Sequence, residues 1–574
     1  MKIERINLKN TVLKILAVTA FLSLGFLLKG NMGNVNEVHF LPLAKQYADP
    51  NWIPGDWYYN EPPGYRLLFI ALFGKLILAF GFLATSIIGR LLCYTLIASG
   101  LVFLGKKLGI SLPALLVGIG LFLYVNHYQG VVAQEWLVGG VESKSFAYGF
   151  LLLTIGLMLE GYYRLMALML GLVASFHVLV GGWAFLAVVG WLLWRRRKDL
   201  ADIYYLGSVF LIYLVASGFA ILPVLQQLFT STPTGSIEPS YLFVYVRTPH
   251  HLNPLSWDSD WWLIPLAYLL VLGISLFLLK RQQKSGKFAP QYTTSLELAE
   301  FTLITLIPFL LGLAIAPFDT QGKLLQYYPF RLGDIMLPLN TCLLFVGALE
   351  QTFSGRKQRI FSLFCILLVT VACSIQAVNF YHSLLALPQF PGKEQEVDPE
   401  WQDMCSWIRT HTPHNSLVIS PPVEFVNFTW LAERPTIAKF RLVPSISASV
   451  VEWYERLTDL SGKINPWPSK DNKQDKRREI NNALTTGYYS LSTSQVESLM
   501  LKYQADYFVT RSEQKLDLPI AYQNSLYTFY QKFYRSDHLK NPFPQLARNH
   551  HFSKTPLPLP KHSKNPHLPQ AERD

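Results

Sequence analysis

Three carboxylates and a histidine stand in one short polar stretch directly after the first hydrophobic run. It reads Asn36-Glu37-Val38-His39, then Gly55-Asp56-Trp57-Tyr58-Tyr59-Asn60-Glu61-Pro62-Pro63. A carboxylate partly withdrawn from water can take a proton from an alcohol or an amine, which is the work of a general base. Glu37 falls in the first turn of a predicted short surface helix, Val35 to Tyr47. There Phe40, Leu43, Ala44 and Tyr47 are at helical spacing and Asn36 can cap the start. The same position would also let Glu37 merely complement the helix N-terminus. Glu61 is directed by the two prolines after it, as a positioned base or ligand requires; a rigid turn with a solvated acid is the plainer alternative. Asp56 fits an Asx-type turn better than catalysis. Glu37 and His39 are the candidates for holding a divalent cation, should one be needed.

A second group of residues suits an anion. The stretch Arg247-Thr248-Pro249-His250-His251 and the later Tyr327-Tyr328-Pro329-Phe330-Arg331 each bring an arginine beside aromatic or imidazole rings. The planar guanidinium donates two parallel hydrogen bonds to phosphate, so Arg247 and Arg331 are candidates for a lipid-phosphate headgroup. The alternative pairs them with Asp258, Asp319 or Asp334. Adjacent His250 and His251 are a weak metal signal, because neighbouring side chains diverge in regular structure. His177 lies between two apolar runs, either as a buried hydrogen-bonded histidine or as a ligand or proton relay. Glu135 and Glu142-Ser143-Lys144 sit before another run, where Glu142 and Lys144 can pair at little gain. Trp57 and Tyr59 could stack on a sugar face, though anchoring at a membrane interface is the commoner use.

The elements that must position these residues are membrane spans. Hydrophobic residues make up 51% of the chain and charged residues only 15%, and apolar runs recur that approach the length of a bilayer crossing. Basic clusters abut their ends, at Lys106-Lys107, Arg195–Lys198, Lys280–Lys287 and Arg356–Arg359. The net charge of +12 is therefore mostly topology and does not call for a nucleic-acid partner. With a cytoplasmic N-terminus and about eleven spans, every cluster falls inside. The segments 30–65, 126–144, 230–260 and 317–334 and His177 then fall outside. This parity requires Leu67–Phe82 to be a juxtamembrane or re-entrant helix. The expected fold is a polytopic α-helical membrane domain over 1–385 and a small extracytoplasmic α/β domain over 396–535. A disordered basic tail rich in Pro and His follows over 536–574. Helices are predicted at Trp401–Arg409, Ala448–Leu457 and Ser494–Lys502. Strands are predicted at Leu417–Ser420, Pro435–Phe440, Tyr507–Val509 and Leu526–Tyr530, with a polar insertion at Asn465–Arg478. Only Cys405 of five cysteines lies in the soluble part, so no disulfide is expected.

No Walker loop, dinucleotide fingerprint, HExxH or GxSxG occurs. The order Glu37, Gly55-Asp56-Trp57, Glu61-Pro62-Pro63, Gly74, Arg90, Lys106-Lys107 resembles the start of membrane glycosyltransferases of the C type, such as aminoarabinose transferases and protein mannosyltransferases. Beyond about residue 110 the likeness is architectural. Glu142-Ser143-Lys144, Ser175-Phe176-His177, Arg247–His251, Trp407–Pro413, Glu433-Arg434-Pro435 and Glu452–Arg456 are closer to a poorly characterised bacterial branch of that superfamily. The resemblance implies sugar transfer from a polyprenyl-phosphate donor to a glycan, lipid or protein acceptor at the outer face of the plasma membrane. Glu37 would then be the base, or an acid supporting a metal, and Glu61 the second carboxylate. Asn36 stands where the family usually has its first Asp, so the alternative is a non-catalytic member that binds a lipid-linked glycan or a partner protein. A secondary transporter would call for inverted repeats, which the sequence lacks.

Overall fold

The computed structural model describes residues 8–29, 34–62, 64–126, 128–197, 203–228, 237–284, 289–353, 355–385, 398–462 and 474–533. The predicted tail, the loop residues 229–236 and most of the predicted polar insertion lie outside them. Among the described residues, seven helices are long and apolar enough to cross a membrane. They are Leu8–Phe26, Leu67–Lys107, Val178–Arg195, Ser259–Gln283, Gln291–Ile315, Arg331–Thr352 and Arg356–Leu385. An eighth is reached if Ile203–Ala216 and Gly218–Leu225, bent by 70°, make one broken span.

The expectation of about eleven spans also counted three shorter pieces. Leu112–Tyr124 has 13 residues and Tyr163–Phe176 has 14, so each reaches only about 20 Å against a hydrocarbon core of about 30 Å. Ser143–Glu160 opens on three buried polar residues, Ser143, Lys144 and Ser145, which shortens its apolar part. These helices are enclosed by their neighbours, as the complete burial of Leu151, Leu152 and Ile155 shows. Tyr163–Phe176 and Val178–Arg195 are separate helices because His177 alone takes an extended conformation between them.

Leu67–Phe82 is continuous with the following span in a 41-residue element, bent at Gly81 with φ 73°. A side chain there would be strained, so glycine permits the break. The first half packs against the Asn34–Ala48 helix. At Gly74 a Cβ atom would stand 2.4 Å from the Ala44 carbonyl oxygen and 2.8 Å from Ala48 Cβ. The predicted helix at Val35–Tyr47 thus forms, but Leu41 and Ala44 are wholly buried, so it is a packed element instead of a surface one.

The C-terminal part is α/β. Strands β1 (Val418–Ile419), β2 (Tyr507–Arg511), β3 (Ile520–Gln523) and β4 (Tyr527–Gln531) lie in the order β1-β2-β4-β3. Val418 pairs with Tyr507 in parallel, whereas Tyr507–Gln531 and Ile520–Tyr530 are antiparallel pairs. The predicted helices form as Pro399–His411, Ser447–Leu460 and Thr493–Tyr503. Two expectations fail. Residues 477–489 are a helix with Ile480, Leu484 and Tyr488 buried at intervals of four, where the polar insertion was predicted to end. The predicted strand Pro435–Phe440 contributes a single bridge, Thr436 to Val418. Pro435 has no N–H to donate, and the Thr436 N–H is taken by the carboxylate of Asp56. The cores also interlock, since Leu242 and Val246 pack into the C-terminal core beside Phe440 and Trp453.

Gly74→Val should force the two helices apart and lower stability by about 1–3 kcal/mol. A depressed unfolding midpoint in detergent checks this; an unchanged midpoint contradicts the packing.

Candidate functional site

The Arg331–Thr352 helix starts the site. Asp334 in its first turn accepts four backbone N–H groups, from Val131, Val132, Ala133 and Glu135, at 2.8–3.1 Å. The 130–135 loop wraps so closely that a Cβ on Gly130 would lie 1.9 Å from Asp334 Oδ2. Gln134 sits at φ 54° within this wrap, and Glu135 follows it, fully buried.

Glu135 heads a chain of charges. Its Oε1 accepts from Arg331 Nε at 2.7 Å and its Oε2 from Lys144 Nζ at 3.0 Å. Lys144 also faces Glu142 Oε1 at 3.2 Å and lies over the Trp136 ring. Asn36 donates to Glu142 Oε2 at 2.7 Å. Arg331 reaches His177 Nε2 at 3.2 Å and stacks on Tyr328, 3.7 Å from the ring centroid. Tyr328 holds this place with φ 55°, an uncommon conformation for a bulky residue. Burial alone would raise the Glu135 pKa, but Arg331 and Lys144 outweigh it and hold the carboxyl well below its usual range. The predicted phosphate ligand Arg331 is therefore already engaged. Its partner is Glu135, whereas Asp319 and Asp334 cap backbone N–H groups and Asp258 caps the turn after it. Glu142 and Lys144 do pair as predicted, though they are buried and belong to this larger chain.

Beside this chain lies a cationic cluster. Residues 242–247 form a π-helical turn, closed by Thr248 N–H donating to the Phe243 carbonyl at 3.0 Å, and Pro249 opens the next short helix. Such turns are rare and often mark functional sites. This one is anchored through Leu242 and Val246 and ends on Arg247. Arg247 Nη2 donates to the Arg441 carbonyl at 3.2 Å, while its Nε–H is buried without a partner. Burial and the neighbouring Arg441 push the guanidinium down to about 9, still charged at neutral pH. His250 Nδ1 is likewise buried without a hydrogen bond. Contrary to expectation the His250 and His251 rings do not diverge; they lie tilted by 35° with centroids 3.9 Å apart. His251 Nδ1–H donates to the Ala133 carbonyl at 2.6 Å, which ties this cluster to the Glu135 loop. His39 meets the Tyr58 hydroxyl, and Arg66 lies over Phe40 and donates to Ser445 Oγ at 3.3 Å. Burial, then Arg66, Arg247 and Arg441, keep His39 neutral well below its ordinary pKa. The structure thus gathers His39, His177, Arg247, His250, His251 and Arg331 into one region. Sequence reasoning missed Arg66, and gave Glu135, Glu142 and Lys144 only a surface role.

The three predicted catalytic carboxylates are engaged in other contacts. Glu37 is fully buried and bound on every side: Arg90 Nε and Nη2 form a fork at 2.8 and 2.9 Å, Ser86 Oγ donates at 3.0 Å, and the Val141 N–H completes the set. No lone pair is left for a base or a metal. Among the described residues no group of three His, Cys, Asp or Glu side chains could hold a metal ion. Glu37 and His39 do not fit that role, because Glu37 is spent on Arg90 and His39 faces Tyr58. Asp56 does make the predicted turn, accepting Tyr59 N–H at 2.8 Å, and its other oxygen takes Thr436 N–H at 2.9 Å, latching the loop to the C-terminal domain. Burial raises Asp56 to about 6. Glu61 accepts from Ser449 Oγ at 2.8 Å, and burial raises its pKa. The charge acting on it is that of Glu452. Tyr59 is buried, with its hydroxyl toward the Val38 carbonyl, and Arg456 covers the Trp57 ring, so neither offers an open face.

One family model matches the chain, over residues 399–460; its description is a domain of unknown function, DUF6798. No curated protein matches. The matched segment holds Thr436, Arg441, Ser445, Ser449 and Arg456, the residues through which the C-terminal domain meets the first loop and Arg247.

Two outcomes follow. Glu37→Gln should cost about 3–5 kcal/mol, because Arg90 is left buried without its counter-charge, and it should lower expression and unfolding temperature before it informs on chemistry. The histidines' share of thermal stability should also fall as pH drops from 6.5 to 4, while Asp56 and Glu61, whose carboxyls are raised in the folded state, act in the opposite direction. Burial holds His251 down at about 4, and His39 and His250 below their ordinary value, so the unfolded chain binds protons first. His251→Asn should flatten that part of the stability–pH curve; an unaltered slope contradicts the assignment.

Proposed function

We propose that this chain is a membrane glycosyltransferase of the C type. It moves a sugar from a polyprenyl-phosphate donor to an acceptor at the extracytoplasmic face of the plasma membrane, with its N-terminus in the cytoplasm. The observation that carries the reading is Arg247, a charged guanidinium whose buried Nε–H has no partner, next to His250 and within the electrostatic reach of Arg441. A phosphate oxygen supplies the missing acceptor and the missing negative charge together. Apolar helices of membrane length support a lipid-carried donor, since the polyprenyl tail requires an apolar phase.

In the transfer, the acceptor oxygen attacks the anomeric carbon while the bond from that carbon to the phosphate oxygen breaks. The polyprenyl phosphate leaves with the electron pair, and a single displacement inverts the anomeric centre. Arg247 favours the step because negative charge grows on the leaving phosphate. Lys144 and Arg331 are held in place by Glu135, so they give the region a fixed field at no cost of rearrangement.

The test is transfer in reconstituted vesicles from a panel of polyprenyl-phosphate sugars. Arg247→Ala should lower transfer and donor binding about tenfold to a hundredfold, and Arg247→Lys should recover part, keeping the charge without the fork. Donor binding without transfer would favour the non-catalytic alternative. No binding of any polyprenyl phosphate would overturn the reading.

A further inference from the structure

We infer that Glu142 is the base that accepts the proton of the acceptor, held for that task by Asn36. This rests on the transferase reading above and names a catalytic residue for it.

A base needs a carboxylate oxygen that accepts no hydrogen bond, close to the charged groups of the region. Four buried carboxylates face the region or border it. Glu37 has both oxygens filled by Arg90, Ser86 and Val141. Asp334 is filled by four backbone N–H groups, and Glu135 is divided between Arg331 and Lys144. Glu142 differs. It is 4% exposed, its Oε2 is fixed by the Asn36 amide, and its Oε1 is buried and accepts no hydrogen bond, although it forms an ion pair with the Lys144 ammonium at 3.2 Å.

The surroundings fit the role. Asn36 can donate but carries no charge, so it aims the carboxylate without competing for the proton. Lys144 lies nearer to Glu135, at 3.0 Å, than to Glu142, at 3.2 Å. In the step itself, the acceptor O–H or N–H bond breaks as the acceptor atom bonds to the anomeric carbon. The proton passes to Glu142 Oε1, and the electron pair of the broken sugar–phosphate bond leaves with the lipid phosphate. Proton, sugar and charge balance without any further reactant.

The contact between Asn36 and Glu142 also supplies a test that separates chemistry from folding. Wild type, Glu142→Gln, Asn36→Asp/Glu142→Gln and Glu142→Asp are compared in vesicles for sugar transfer, for binding of the same polyprenyl-phosphate donors, and for unfolding temperature. The expected result is a loss of transfer of at least about a hundredfold in Glu142→Gln, with donor binding kept. The double variant should regain a measurable part, because it returns a carboxylate to the other end of the same 2.7 Å contact. Transfer by Glu142→Gln within about threefold of wild type would overturn the assignment and leave the transferase reading standing. So would a double variant that recovers folding but no transfer. Wild type that neither binds nor transfers from any donor would overturn both.

Discussion

Glu135 is kept ionised where water does not reach, and the polar region is organised around that fact. Withdrawing a carboxylate from water is expensive, and burial alone would favour its protonated form. Two cations on different elements, Arg331 at a helix start and Lys144 near another, more than offset it. Each cation is in turn immobilised, Arg331 by the Tyr328 ring and His177, Lys144 by Trp136 and Glu142. Removing Glu135 would take from both buried cations the counter-charge they share, which is far costlier than losing a surface pair. The backbone follows the same constraint: the loop that delivers Glu135 closes around Asp334, and Gly130 is the only residue type small enough for that approach.

A second set of contacts fixes the roof. Lys45 and Trp52 donate to Glu433 at 2.7 Å, Asp56 takes Thr436 N–H, and Ser449 donates to Glu61. All of these run between the first loop and the segment 433–449. The loop acids that drew attention in the sequence thus serve assembly, and the chemistry-bearing groups lie beneath them. The segment matched by the family of unknown function is the other half of this seam.

Much of the architecture is readable from residue types. Apolar runs with basic ends give the helices, and the break at His177 follows from a polar residue between two such runs. The segments assigned to one face by charge parity, including those of His39, Glu135, His177, Arg247 and Arg331, do meet in one region. The roles of individual acids are not readable, because they depend on partners 53 to 380 positions away: Glu37 with Arg90, Glu135 with Arg331, Asp56 with Thr436. Isolated Glu37 in a helical first turn looks like a base, and only the fork from Arg90 shows that it is spent. The helix at 477–489 was legible in Ile480, Leu484 and Tyr488, but the polar stretch before it obscured the period. The absent strand at 435–440 reflects a long-range competitor for one N–H, which no local propensity encodes.

Leu242 and Val246 have a consequence for how the protein is made. They lie in the midst of the membrane part, yet they fill the core of a domain that begins more than 150 residues later. During synthesis these side chains emerge long before Phe440, Trp453 and the strands that enclose them exist. The π-helical turn that presents Arg247 therefore cannot lock until the last strands leave the ribosome. A truncated chain would hold its helices but leave Leu242 and Val246 without the core that covers them. Quality control is thus built into the order of translation.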